Sequence, residues 1–175
     1  MSAAAPVAMT VDPRPTLDKV LLATDLTAAS AAATDEAFAL AERLGAALLV
    51  VSVIDPGSLR LPGGRWTERV DQVRARREAA AEHLVDRGRG LGVPVQCLVW
   101  VGDPGESIVE AADAEGADMI LVGSHGRGAV GRVLLGSVSD FVVRHANCPV
   151  LVVRQRRDRP PVASPVGAQP RDQRV

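Results

Sequence analysis

The chain has 175 residues, which is enough for one domain with a buried core and short for two. Aromatic residues make up only 2% and the formal net charge is -1, so neither base stacking nor a basic surface for nucleic acid or anionic membrane is expected. No apolar run reaches the roughly 18 residues that suggest a membrane span, and residues 1–15 lack a signal-peptide pattern. We therefore expect a cytoplasmic protein.

The first part of the chain alternates apolar runs with helical patterns. Residues 1–16 are rich in Ala and Pro without a period, and we expect them to form a disordered arm. Hydrophobic periodicity then predicts strands at 19–24, 46–54 and 93–101, and helices at 28–44 and 67–90. Gly45 suits the end of the first helix. The second helix has an Arg-rich outer face that we interpret as solvated, formed by Arg69, Arg74, Arg76 and Arg77.

The alternation continues at closer spacing to residue 154. Helices are predicted at 104–115 and 137–145, and strands at 117–122 and 148–154. Strands that alternate with helices indicate parallel pairing, and strands that are apolar on both faces require helices on both sides. The sequence therefore predicts an open, doubly wound α/β fold with five parallel strands over residues 17–154. Residues 155–175, rich in Pro and Arg, are predicted to be a disordered tail.

Two of the predicted strands end in polar or glycine-rich sequence. The first ends in Thr24-Asp25-Leu26-Thr27, and the fourth is followed by the glycine-rich segment 123–136. Ligands of open parallel sheets bind beyond the carboxyl ends of the strands, where the strand order reverses. If these two strands are neighbours, Asp25 faces the glycine-rich segment across a crevice.

The glycine-rich segment has the composition of a phosphate-binding loop. Its glycines permit positive φ and close approach of an anion, and successive N–H groups in such a loop bind anions. A helix begins at Gly136-Ser137, where the dipole favours negative charge and the Ser137 hydroxyl adds a donor or caps the helix. Arg127 and Arg132 are available to neutralise phosphate oxygens. The alternative is a glycine-rich surface loop with two solvated arginines.

The pattern Gly123-x2-Gly126-x9-Gly136-Ser137 resembles the nucleotide-binding signature of the universal stress protein (UspA-like) family, in its ATP-binding subgroup. The resemblance extends from Asp18 to Arg154, and includes Asp25 at the end of the first strand. One departure follows Asp25: Leu26-Thr27 stands where many relatives carry a small residue and then Ser. We expect Leu26 to narrow the mouth of the site.

The resemblance implies the strand order 3-2-1-4-5 and a role for each matching residue. Asp25 would lie near the ribose and triphosphate, and Val53 would meet the adenine through its backbone. Val122 and Gly123 would line the entry to the ribose and phosphates. The phosphates themselves would be held by Gly126, Arg127, Gly136, Ser137 and Val138. The resemblance further implies Mg²⁺ bridging phosphate oxygens, and a homodimer formed through the last strand, Val150 to Val153. An exposed apolar edge strand also favours such pairing.

These observations predict an ATP-binding regulator of the stress response, whose dimer or protein-partner interactions depend on nucleotide occupancy. The regulatory partner is not identified by the sequence, and no nucleic-acid or membrane partner is expected. No P-loop motif and no catalytic constellation are present, so we assign no catalytic residue and no protein metal ligand. Two alternatives stay open: a slow ATPase, with His125 as proton carrier or phosphate donor, and a nucleotide-free interaction module of the same fold.

Overall fold

The computed structural model describes residues 16–59, 66–124 and 135–154. The predicted arm before residue 16, the predicted tail after residue 154 and most of the glycine-rich segment lie outside these ranges. The strands are β1 Lys19–Ala23, β2 Ala47–Ile54, β3 Val95–Val101, β4 Met119–Gly123 and β5 Val150–Val153. The helices are α1 Ala31–Leu44, α2 Trp66–Leu91, α3 Pro104–Glu115 and α4 Ser137–His145.

All five strands pair in parallel, in the order β3-β2-β1-β4-β5. The predicted fold class and strand order are therefore confirmed. Strand β1 lies between β2 and β4, so Val20 is opposite both Leu48 and Met119. The chain winds outward in both directions from β1, which places the reversal of strand order between β1 and β4.

Each strand contributes alternate side chains to two separate cores. Val20 and Leu22 point to the face covered by α1, where Phe38 is the largest fully buried side chain. Leu21 and Ala23 point to the opposite face, which α3 and α4 cover. The strands are apolar on both faces because helices remove both faces from water.

Short-range signals determine where the helices start and stop. Gly45, Gly92 and Gly116 each follow a helix with φ between 63° and 70°, the left-handed conformation that glycine adopts without steric cost. Helix α3 begins with Pro104, and the side chain of Asp103 accepts a hydrogen bond of 3.0 Å from Glu106 N. These contacts confirm the predicted stop at Gly45 and the predicted start of α3.

The predicted boundaries differ from the structure at several strand starts. The predicted strand at 148–154 begins instead at Val150, and Cys148 lies in a bend. Pro149 has no N–H to donate to a ladder, and its carbonyl accepts the first pairing bond, from Ile120 N at 2.9 Å. The predicted helix at 28–44 is also divided, because Ala28–Ser30 form a 3₁₀ turn before α1.

Candidate functional site

A cavity of about 540 Å³ opens at the carboxyl ends of β1, β2 and β4. Its volume falls within the range of about 300–1,000 Å³ that is usual for small-molecule sites. The starts of α3 and α4 complete the walls, through Pro104 and Ile108 of α3 and the first residues of α4. The lining contains every predicted site residue that the structure describes: Asp25, Val53, Val122, Gly123, Gly136, Ser137 and Val138.

The remaining predicted phosphate ligands, Gly126 and Arg127, lie outside the described residues. So do His125, the candidate catalytic residue of the alternative, and Arg132. The roles assigned to these four residues stay predictions.

The start of α4 forms one wall of the cavity. Gly136 is the N-cap residue, and its N–H donates to the Ser124 carbonyl at 2.9 Å. Ser139 Oγ donates to the Gly136 carbonyl at 2.9 Å. Ser137 is the first helical residue and is exposed, so the suggestion that its hydroxyl caps the helix is wrong. The cap falls one residue earlier, where the backbone is still extended.

The two described glycines of the signature do not use the conformational freedom that we expected of them. Gly136 has φ −64° and ψ 159°, and Gly123 is not among the residues with positive φ. Any L-residue adopts such backbone angles. Both glycines line the cavity, so the second reason given for them, close approach of an anion, stays a prediction.

The turn after β1 orients Asp25. Its Oδ1 accepts hydrogen bonds from Thr27 N at 3.1 Å and Thr27 Oγ1 at 2.8 Å, which closes a turn around Leu26. Leu26 adopts φ 56°, a conformation that is uncommon for a residue with a bulky side chain. Its side chain packs against the core under α1 and does not line the cavity. The expectation that Leu26 narrows the mouth is therefore wrong.

The backbone of Val53 lies beyond the end of the β1–β2 ladder. In a strand with a neighbour on each side, successive residues direct their backbone N–H and carbonyl groups alternately to one neighbour and to the other. The Val51 carbonyl accepts a hydrogen bond from Thr24 N at 3.0 Å, on the β1 side. Ile54 accepts from Gly102 N at 3.0 Å on the β3 side. Val53 therefore faces the same side as Val51, but β1 has already ended at Ala23. Its carbonyl consequently lies at the cavity rather than in the sheet.

Arg77 is a lining residue that we did not predict. Its Nη1 donates to the Val53 carbonyl at 2.6 Å and to Ser52 Oγ at 3.1 Å, and Ser52 Oγ donates to the Thr24 carbonyl at 2.8 Å. Including Arg77 in a solvated face was therefore wrong. The available signal was its spacing, since position 77 shares one helical face with Val70, Val73, Ala81 and Leu84.

Charges in the described lining of the cavity are few. Asp25 and Asp55 contribute carboxylates and Arg77 contributes a guanidinium. Asp55 Oδ1 accepts from Gly57 N at 2.7 Å, which shapes the loop after β2. Across the described ranges, no three His, Cys, Asp or Glu side chains come together as metal ligands.

A second groove of about 640 Å³ runs between α2 and the outer strand β3. Its lining combines three acidic residues and one arginine with apolar residues, and it includes Cys97. Burial raises the pKa of the Cys97 thiol, which keeps it protonated and unreactive. The groove lies along a sheet edge rather than at the strand ends.

The comparison with known proteins identifies the family. The universal stress protein family profile matches residues 16–154. The chain belongs to the universal stress protein family. A universal stress protein of Thermus aquaticus is 39% identical over 137 residues, which cover 77% of this chain and 97% of that protein.

Solved structures of the family share the fold. The structure of MJ0577, a universal stress protein of Methanocaldococcus jannaschii, aligns with a TM-score of 0.73 at 28% identity, over 81% of this chain and 99% of that one. A universal stress protein in complex with cAMP aligns with a TM-score of 0.60 at 28% identity, over 80% and 98% of the two chains. None of the helices in the described part of this family member combines the length and apolar character needed to cross a bilayer.

Proposed function

We propose that this universal stress protein binds ATP in the cavity at the ends of β1, β2 and β4, and acts as a cytoplasmic regulator of the stress response. One observation carries the proposal: Asp25, Val53, Gly123 and the first turn of α4 converge on a single cavity of suitable volume. The cAMP complex of a relative with the same fold supports a nucleotide as the ligand.

The cavity offers a different chemistry at each end. In the proposed arrangement the adenine lies against Val53, where backbone hydrogen-bonding groups extend past the sheet ladder. The ribose lies beside Asp25, whose position is held by Thr27. The phosphates lie at the start of α4, where free N–H groups and the helix dipole favour negative charge. Gly126 and Arg127 would complete the phosphate contacts.

Magnesium fits this arrangement as a partner of the phosphates. The described lining carries two carboxylates and one guanidinium, so it does not by itself neutralise a triphosphate. Mg²⁺ binds through few protein carboxylates together with phosphate oxygens and water. Asp25 is the carboxylate at the expected position, and the ion would offset repulsion between it and the phosphates.

The geometry also supports a route from nucleotide to dimer. Strand β5 is an edge of the sheet, and the side chains of Leu151 and Val143 are 38% and 44% exposed. We propose that two copies pair through Val150 to Val153. Gly123 is opposite Val153, and Ser124 N donates to the Val153 carbonyl at 2.8 Å. The segment that begins the proposed phosphate loop is thus bonded directly to the proposed dimer edge, which couples nucleotide occupancy to pairing with itself or a regulatory protein.

A cytoplasmic location is part of the proposal. Cys97 and Cys148 are both free thiols, which suits a reducing compartment. Burial raises the pKa of each thiol, so both are kept in the unreactive protonated form.

Isothermal titration with Mg²⁺-ATP tests the proposal. Wild-type protein should bind, and Gly136→Val should lose at least about tenfold in affinity, or about 1.4 kcal/mol, because the new side chain stands at the start of α4. Gly90→Val is the matched control, since Gly90 is exposed and a Cβ added there meets nothing within 4 Å. No heat at millimolar ATP, or full affinity in Gly136→Val, would refute the proposed site.

Two further measurements separate the proposal from its alternatives. Phosphate release at many turnovers per minute would make the protein an ATPase rather than a binding regulator. Sedimentation with and without Mg²⁺-ATP tests the dimer: Leu151→Arg should be monomeric at concentrations where the wild type is dimeric. An unchanged distribution in Leu151→Arg would place the interface elsewhere.

A further inference from the structure

Arg77 occupies a position at the base end of the cavity that the proposed function leaves unexplained. Its Nη1 lies 2.6 Å from the Val53 carbonyl oxygen, the group against which the base is proposed to bind. We infer that Arg77 determines base preference, because it competes with the exocyclic amine of adenine for this carbonyl. The inference rests on the proposed nucleotide site.

The competition follows from the donors and acceptors involved. A guanidinium has five N–H donors and no acceptor. Adenine presents an amine, N6–H₂, which needs an acceptor, whereas guanine presents the O6 acceptor at the corresponding position. With Arg77 on the Val53 carbonyl, an adenine amine meets an acceptor that is already engaged by a charged donor. Guanine presents the O6 acceptor at this position instead, so it has no amine there that must share the Val53 carbonyl with Arg77.

The surroundings hold Arg77 in this position. Ser52 Oγ accepts from the same Nη1 at 3.1 Å, and its own hydrogen is directed to the Thr24 carbonyl at 2.8 Å. The Ser52 hydroxyl therefore presents a lone pair to the guanidinium, and both contacts of Arg77 are with β2, whose Ser52 is in turn held by the residue that follows β1. Arg76, one residue away on α2, is exposed, so it provides a matched comparison of the same residue type.

The inference predicts that Arg77 reduces the preference of the cavity for ATP over GTP. Replacing it with an apolar side chain of similar length leaves the Val53 carbonyl as an acceptor for N6–H₂, which favours ATP, and offers no donor to the O6 acceptor of guanine. Arg77→Met should therefore raise the ratio of the GTP and ATP dissociation constants by about tenfold, equivalent to about 1.4 kcal/mol. If the contact between Arg77 and Val53 only held α2 against β2, its loss would change the affinities for ATP and GTP by the same factor.

The experiment is titration of the purified full chain with Mg²⁺-ATP and with Mg²⁺-GTP. The variants are Arg77→Met, Arg77→Gln and the control Arg76→Met, each checked for folding by circular dichroism. Arg77→Gln removes the charge and leaves only a neutral amide N–H as a weaker donor to the Val53 carbonyl, so it should shift the ratio in the same direction by at least about threefold if Arg77→Met does not fold. Arg76→Met should leave the ratio unchanged.

The outcomes separate this inference from the proposed function. If the wild type binds nucleotide and the Arg77 variants leave the ratio unchanged, the inference is wrong and the nucleotide site stands. If the wild type binds neither nucleotide but Arg77→Met binds ATP, the proposed function of the natural protein is wrong and the competition is supported. If no form binds either nucleotide, both are wrong.

Discussion

Two glycines near the end of α2 differ in what a methyl group would meet. At Gly88, an added Cβ would lie 2.3 Å from Val95 Cγ2 and 2.7 Å from the Val93 carbonyl oxygen. At Gly90, it would meet nothing within 4 Å. The same substitution, glycine to alanine, therefore tests whether close approach of α2 to the start of β3 is required for stability.

The expected magnitudes follow from these distances. Val95 is a side chain and can shift, but the Val93 backbone is tied to the helix, since Val93 N donates to the Gly88 carbonyl at 2.9 Å. Overpacking of this kind costs about 1–3 kcal/mol. Alanine in a helix recovers about 0.5–1 kcal/mol relative to glycine. We expect Gly88→Ala to lower the free energy of unfolding by about 1–2 kcal/mol, and Gly90→Ala to raise it by up to about 1 kcal/mol.

Urea unfolding followed by circular dichroism at 222 nm measures both changes. The comparison is valid if the dependence of the unfolding free energy on urea is the same in the two variants. Equal stability of Gly88→Ala and Gly90→Ala would contradict the reasoning, because it would mean that α2 does not pack closely against Val93 and Val95.

Three further predictions concern a helix cap, a carboxylate at the start of β1 and a thiol. Asp103→Ala should lower the free energy of unfolding by about 1 kcal/mol through loss of the α3 cap, and Asp71→Ala on the exposed side of α2 should have little effect in the same urea titration. Asp118→Ala should lower the free energy of unfolding by about 1–3 kcal/mol, because Asp118 Oδ2 accepts hydrogen bonds from both Asp18 N and Lys19 N. Asp118→Asn keeps an acceptor and should lower the free energy of unfolding by less. Equal losses in the two variants would show that the acceptor is not what stabilises the fold. Burial raises the pKa of the Cys97 thiol, so the stability it contributes should be present below about pH 8.5, the usual thiol pKa in an unfolded chain, and be lost as the pH rises through the higher folded pKa. The stability difference between wild type and Cys97→Ala should therefore change between pH 7 and pH 10, and a constant difference would argue against a raised pKa.

The candidate site could be predicted in part because its position follows from topology. Polar and glycine-rich sequence at the ends of two parallel strands predicts Asp25 and Gly123 as site residues, and both line the cavity. Arg77 could not be assigned in the same way. Its contact with Val53 joins residues 24 positions apart, and depends on how far α2 lies from the end of β2.

The sequence by itself determined the local features of this protein. Apolar periodicity predicts the strands and helices, and Gly45 indicates the end of α1, because these signals act between residues only a few positions apart. The tertiary structure alone decided that the Val53 carbonyl extends past β1 and that Arg77 reaches it. Strand register and helix placement are properties of the packed sheet, so contacts that depend on them are not readable from local pattern.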